Sequence, residues 1–200
     1  MTDRIQSQDI VRRSAQEPIR IRLAAPHDRE RVQAYFGSLS VEGRYDRFQG
    51  GMSRLPEPVL DRFVQTQRAD QLTMLATTIR DGDETVVGEA RYVFDLDALR
   101  VELALSVHDR WQGKGIGTSL IERLERRAWA GGALGVFGET LASNDRICRL
   151  ARAFGYGPTS ATDWRLIRFE KSLLPGWRGR ATRPFGWAAF RLDDADDDIA

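Results

Sequence analysis

A single cysteine, Cys148, and two histidines, His27 and His108, are all the thiol and imidazole that 200 residues offer. One thiol makes no disulfide framework, and two histidines so far apart make no zinc site, so no metal is expected. Net charge is equally scarce. Thirty basic side chains, written 30 against 29 acidic ones, leave a formal +1, which argues against a surface given over to nucleic acid. No apolar run approaches the ~20 residues of a membrane span. The opening segment, MTDRIQSQDIVRRSAQEP, lacks the apolar core of a signal peptide. A cytoplasmic chain with no membrane contact is expected. Lysine is rare too: only Lys114 and Lys171, against 28 arginines. Codon bias in a G+C-rich genome explains such a split, and it makes Lys114 conspicuous.

With 42% hydrophobic and 30% charged residues, the composition is that of a globular protein. The length suits one domain with tails, able to bury roughly 70% of its unfolded surface. Residues 1–17 read as a polar tail, 18–174 as the domain, and 175–200 as an aromatic and arginine-rich, then acidic, tail. Within the domain, Ile19 to Leu23 alternates like a half-buried strand, and Pro26 to Leu39 reads as a helix. A second short helix follows to Phe48; Gly50-Gly51 separates it from a third around Val59 to Thr66. Leu72–Arg80, Thr85–Asp95 and Arg100–Val107 form an antiparallel meander, its first turn marked by Asp81-Gly82. Ile116, Leu120, Leu124 and Ala128 recur every four residues in a helix from Gly115 to Ala130, which Gly131-Gly132 stops. Val136–Thr140 is a strand, Ser143 caps a helix through Phe154, and Trp164–Glu170 closes the sheet. The fold class is α/β: one mixed, mostly antiparallel central sheet flanked by helices.

Chemistry concentrates between Val101 and Thr118. A strand leads through a loop with glycines at 113, 115 and 117 into an amphipathic helix. The unpaired N–H groups and partial positive charge of a helix start attract phosphate. The glycines let backbone approach a ligand, and Lys114 adds a full charge. The spacing is G-x-G-x-G rather than the G-x-G-x-x-G of dinucleotide sites, and no window fits G-x-x-x-x-G-K-[ST].

Gln112-Gly113-Lys114-Gly115-Ile116-Gly117 resembles the [QR]-x-x-G-x-[GA] acyl-CoA motif of the GCN5-related N-acetyltransferases (GNAT). Ser143-Asn144 through Leu150 to Gly155-Tyr156 is similar to that family's S-N-x(5)-L-x(4)-G-[FY] segment. The resemblance covers residues 18–172 and implies the GNAT fold, with acetyl-CoA as cosubstrate. A closer likeness lies in Leu39-Ser40 through Arg44-Tyr45-Asp46-Arg47-Phe48, which resembles the LS-x-x-x-RY-x-RF segment of bacterial protein lysine acetyltransferases. That likeness implies a freestanding catalytic domain acting on a protein lysine. A small amine, polyamine or aminoglycoside-like acceptor is the rival, and a non-catalytic acyl-CoA sensor is a third reading. A monomer or homodimer is expected; acceptor, acyl-chain length and regulatory ligand are not legible.

The resemblance carries over Gln112, Gly113, Lys114, Gly115, Ile116, Gly117 and Thr118 as the pyrophosphate loop. It makes Leu105 and Val107 the strand edge that pairs with the pantetheine arm, an edge opened by a bulge and a splayed neighbour, with a backbone N–H at or near Val107 as oxyanion donor. An alkylamine acceptor has a pKa near ~10.4 and needs a base. Glu102, the one charge inside its strand, is the candidate, with burial expected to raise its pKa; the structural alternative is a pair with Arg91. Glu89 and Glu139 come second. Asn144 corresponds to the family's pantetheine-contacting asparagine; its structural alternative is a helix cap. Many members carry a tyrosine seven residues later, where this chain has Ala151, and Tyr156 is expected to pack rather than replace it. Cys148 is expected to be a buried small hydrophobe.

Overall fold

The computed structural model describes residues 18–48, 52–65, 70–95, 98–161 and 163–174; both tails and the Gly50-Gly51 break lie outside these. Seven strands run Arg20–Leu23 (β1), Gln71–Arg80 (β2), Asp83–Asp95 (β3), Arg100–Val107 (β4), Gly135–Leu141 (β5), Gly157–Ser160 (β6) and Leu166–Ser172 (β7). They form one sheet in the order β1-β2-β3-β4-β5-β7-β6. Only β4 and β5 pair in parallel. Helices Arg29–Ser38 (α1), Val41–Phe48 (α2), Glu57–Val64 (α3), Ile116–Ala130 (α4) and Asp145–Ala153 (α5) flank it. The mixed, mostly antiparallel sheet is the expected one.

Alternation along β3, reset by the bulge that leaves Val87 without a β2 partner, builds both layers. Ala90, Tyr92 and Phe94 face one side, where they pack with Val101, Val136 and the Leu120, Leu124 and Ala128 stripe of α4. Leu75 and Val86 face the other, against Val32, Tyr35 and Phe36 of α1 and Leu60 and Phe63 of α3. Each fully buried valine, leucine or phenylalanine among them contributes about 1.5–3 kcal/mol relative to exposure. The β2–β3 hairpin turns through Asp81 and Gly82 with φ of 52° and 89°, the double left-handed geometry that matches strand twist.

Two elements differ from the sequence reading. Gly157–Ser160 is an edge strand with every residue exposed, and its Gly-Pro-Thr-Ser composition gives no apolar alternation to detect. The last strand begins at Leu166, because Asp163 Oδ1 accepts the Arg165 N–H at 2.9 Å and closes a turn there. It also lies between β5 and β6 instead of at the edge.

Glu125 on α4 is 2% exposed, inside the apolar layer. Lys171 Nζ on β7 donates to both its carboxylate oxygens, at 2.8 and 2.7 Å. Removing one member of such a pair strands a buried charge, whereas removing both does not. Lys171→Met is therefore expected to lower unfolding free energy by roughly 3–5 kcal/mol, read from urea midpoints. Glu125→Leu in the same chain should restore most of it; a single substitution costing nothing would show that the pair is not internal to the fold.

Candidate active site

The sheet opens beside β4. Its parallel pairing to β5 covers Arg100↔Gly135, Val101↔Val136 and Glu102↔Phe137, then stops. From Leu103 to Val107 that edge of β4 has no strand partner among the described residues. On the other edge β4 stays paired with β3 in unbroken register from Gly88↔Val107 to Asp95↔Arg100. The His108 N–H donates to the Val87 carbonyl at 2.9 Å, so Val107 and Gly88 form a non-hydrogen-bonded pair. By strand alternation, Leu103, Leu105 and Val107 direct their N–H and C=O groups into the gap. The bulge implied for this strand is absent from β4; the register shift lies between β2 and β3, at Ala76/Thr77. Splay alone makes the opening. At its apex, a Cβ on Gly138 would stand 2.6 Å from the Leu103 carbonyl oxygen, so only glycine lets the strands meet and part there.

The glycine loop borders the open end of this gap. His108 Nδ1 accepts the Arg110 N–H at 3.2 Å and starts a short 3-10 turn, Asp109–Trp111. Gly113 and Gly115 take φ of 73° and 83°, a region where side chains are strained, and Gly115 opens α4. No atom lies within 4 Å of a Cβ built on either, so their role is conformational. Gly117 differs: its Cβ would meet Leu150 at 3.2 Å, and its smallness seats α4 against α5. Ile116 is buried, whereas Lys114 lies with Nζ 4.5 Å from the Trp111 ring centre. Gln112 Nε2 donates to the Val107 carbonyl at 3.0 Å, and its Oε1 accepts from Arg146 of α5. The loop is thus fastened to the unpaired edge and to the helix across the gap. Thr118 lies in the half-buried first turn of α4.

A buried polar network backs the same edge on the α1–α3 side. Ser106 Oγ donates to Glu89 Oε1 at 2.8 Å and shares a hydrogen bond with Tyr35 Oη at 2.9 Å. Arg47 Nε of α2 donates to Glu89 Oε1 at 2.6 Å. Burial pushes the Tyr35 phenol well above its ordinary value. Glu89 is fully buried and committed to this network, which fits a structural role better than that of a base. Asp109 Oδ2 and Oδ1 accept from the Ser40 N–H and hydroxyl at 3.0 and 2.9 Å, tying the α1–α2 turn to the loop entrance. Partial burial works against the Asp109 charge, but those hydrogen bonds outweigh it and hold the carboxyl below the usual range.

Glu102 is the last residue of β4 to pair with β5, at the closed end of the gap, and it is exposed. The expected burial is therefore not found, because among the described residues no helix covers this end of the face. Nor does it pair with Arg91, whose Nη2 donates to Gln71 Oε1 at 2.6 Å. Among the described residues Glu102 has no ion-pair partner. Glu139 lies on the neighbouring strand, 3.5 Å from Arg168.

Asn144, not Ser143, caps α5, accepting the Ile147 N–H on Oδ1 at 3.1 Å. The cap occupies the oxygen and leaves the amide N–H groups to donate elsewhere. Ala151 is buried in α5, and Tyr156 is buried beside Glu125 and Lys171, on the packing side as expected. Cys148 is 3% exposed, and burial pushes its thiol up. Sequence reasoning missed Gly138, Gln112's bridge to Arg146, and the Ser106–Glu89–Arg47 network. A glycine inside a strand was the one available signal, for Gly138.

Residues 41–156 match the model of the acetyltransferase (GNAT) family. A curated acetyltransferase of Pseudomonas aeruginosa is 26% identical over 136 residues, 68% of this chain and 73% of that protein. The GNAT domain of PAT from S. lividans superposes with a TM-score of 0.71 at 24% identity, over 78% of this chain and 91% of that one. The yncA protein of Salmonella typhimurium, solved with its cofactor acetyl-CoA, gives 0.63 at 20% identity, over 78% and 94%.

Two expected outcomes test the site's construction. Gly138→Ala should cost about 1–3 kcal/mol by overpacking and weaken acetyl-CoA binding, measured by calorimetry on the folded variant. Unchanged stability would mean the apex yields freely. Arg47→Met should cost roughly 3–5 kcal/mol by stranding Glu89, with Glu89→Gln added in the same chain recovering part of it in a denaturant titration.

Proposed function

The chain belongs to the GNAT family of acetyltransferases, and on that premise we propose that it transfers acetyl from acetyl-CoA directly to a primary amine, the ε-amine of a protein lysine. The observation that carries this reading is the unpaired β4 edge from Leu103 to Val107, bordered by a loop that holds two glycines at positive φ. A free strand edge offers alternating N–H and C=O groups to an extended amide-bearing chain. The backbone N–H groups at the start of α4, with Lys114, offer positive potential to a pyrophosphate. These residues fit acetyl-CoA, which supplies the activated thioester.

Roles follow from placement. Leu105 and Val107 hold the pantetheine arm through their backbone, and the Val107 N–H serves as the oxyanion donor. Residues Gln112 to Thr118 hold the pyrophosphate. The Asn144 amide N–H groups donate to the pantetheine while its oxygen keeps the α5 cap. Glu102 accepts the proton that the acceptor amine must lose through a relay of waters, since it lies roughly 16 Å down the strand from Val107, and its freedom from an ion pair suits this role better than that of a sensor locked shut. A thiolate with a pKa near ~8.5 departs without a tyrosine at position 151. The lysine acceptor rests on the Leu39–Phe48 segment. There Leu39, Ser40, Arg44, Arg47 and Phe48 are all engaged inside the fold, while Tyr45 is 43% exposed on α2.

Calorimetry with acetyl-CoA is the first test, expecting Lys114→Glu to weaken binding about tenfold or more. CoA release is then measured with lysine peptides and with small amines. Glu102→Gln should lower kcat roughly 100-fold or more with little change in acetyl-CoA affinity. Turnover on small amines alone would replace the lysine acceptor, binding without turnover would indicate a sensor, and no binding would overturn the cofactor assignment.

A further inference from the structure

The α1–α3 face of the sheet carries a second polar group beside Glu102, with Arg91 one strand and Gln71 two strands away. In register, Gln71 of β2 lies across from Val93 of β3, and Val93 across from Glu102 of β4. These three therefore share one face, and Arg91, paired with Thr73 and Ala104, is the next residue of β3 on that face. Val93 is 39% exposed, so the face is open to solvent at that residue.

The donors there outnumber their acceptors. Arg91 Nη2 donates to Gln71 Oε1, and its guanidinium lies over the Phe63 ring, 5.3 Å from the centroid. Arg91 Nε is enclosed with no acceptor, and so is Nε2 of Gln71, a residue only 7% exposed. Leaving a buried donor unmatched is costly, and two adjoining ones mark a place short of an acceptor. The surrounding charge is divided. Arg47 and Arg62 act on Arg91 as like charges, against Glu89, already taken by Arg47 and Ser106, and Asp70. Burial first, then these arginines, hold the Arg91 guanidinium below its ordinary value, and an added anion would relieve both.

We propose that Arg91 and Gln71 form an anion subsite that receives a carboxylate carried by the acceptor, a few residues or bonds from the amine that Glu102 deprotonates. A planar guanidinium with unmatched N–H groups suits a carboxylate. Strands lie ~4.8 Å apart; Arg91 is one strand over from Glu102 and two residues along, and Gln71 is one strand further. In an extended peptide an acidic side chain close to the acceptor lysine spans that separation. This inference rests on the amine-acetyltransferase reading given above.

The test uses the full chain with lysine peptides that differ only in Asp against Asn at each flanking position. At one or more positions the acidic peptide should show a kcat/KM about tenfold higher. In Arg91→Met that ratio should fall to about one, and in Gln71→Leu it should fall part of the way. Because both peptides are measured on the same protein, a general loss of folded enzyme cancels from the ratio. Amino acids against their decarboxylated amines form a second arm. A preference for the amino acid that Arg91→Met abolishes assigns the same subsite to a small acceptor's carboxylate. Turnover with ratios near one throughout, or a preference that survives Arg91→Met, overturns the subsite. Turnover on no amine instead overturns the acetyltransferase reading.

Discussion

A strand inside a sheet normally has both edges paired, and here β4 does not. From Leu103 to Val107 it keeps β3 on one side and faces a gap on the other. Backbone polar groups left without partners are costly when buried, so the arrangement persists only because its surroundings hold the strand in place. On the β3 side the ladder is unbroken. Behind the strand, Ser106 is held between Tyr35 and Glu89. At the far end the Gln112 amide caps the Val107 carbonyl. What is left is a short run of oriented donors and acceptors, which is how a backbone alone can recognise an extended ligand.

The two faces of the sheet divide the labour. The α4 side is an ordinary apolar layer around Val101, Leu120, Leu124 and Val136, with one ionic exception in Glu125–Lys171. The opposite side mixes its apolar layer with charge. Arg47 reaches from α2 to Glu89, and Phe63 has the Arg47 and Arg91 guanidiniums 5.7 and 5.3 Å from its ring centre. Buried ion pairs seldom stabilise more than an apolar filling would. What this one contributes is position: it fixes α2 over β3, the strand that pairs with β4 beside the gap.

Period-two alternation and the four-residue stripe of α4 made the meander and its following helix readable from sequence, and the glycine loop was readable because its spacing is local. Features that depend on two distant segments were not. Nothing in Gly138 announces the Leu103 carbonyl it must clear, and nothing in Ser106 announces Glu89. Glu102 shows the limit most clearly. Alternation placed it correctly on the face opposite Val101, but burial depends on whether a helix covers that end, and among the described residues none does. β6 escaped notice because an exposed edge strand needs no apolar pattern. Ser143 and Asn144 are both good caps, and only backbone geometry selects the second.

The scarcity of lysine takes on a structural sense beside these features. Lys171 neutralises Glu125 inside the protein, and Lys114 lies over Trp111 on the loop. Both therefore have fixed positions, while arginines make the remaining cation contacts described above. Ser40 and Asp109 complete the logic by joining the α1–α2 turn to that same loop. Since α2 also carries Arg47, the loop, the polar network and the unpaired edge form a closed circuit of contacts: Asp109 to Ser40, α2 to Glu89, Ser106 to Val107, Gln112 back to the loop. A displacement of the loop is thereby felt at the strand edge from two directions. Where the open edge is bare backbone, that circuit ties it to its surroundings in the place of a paired neighbouring strand.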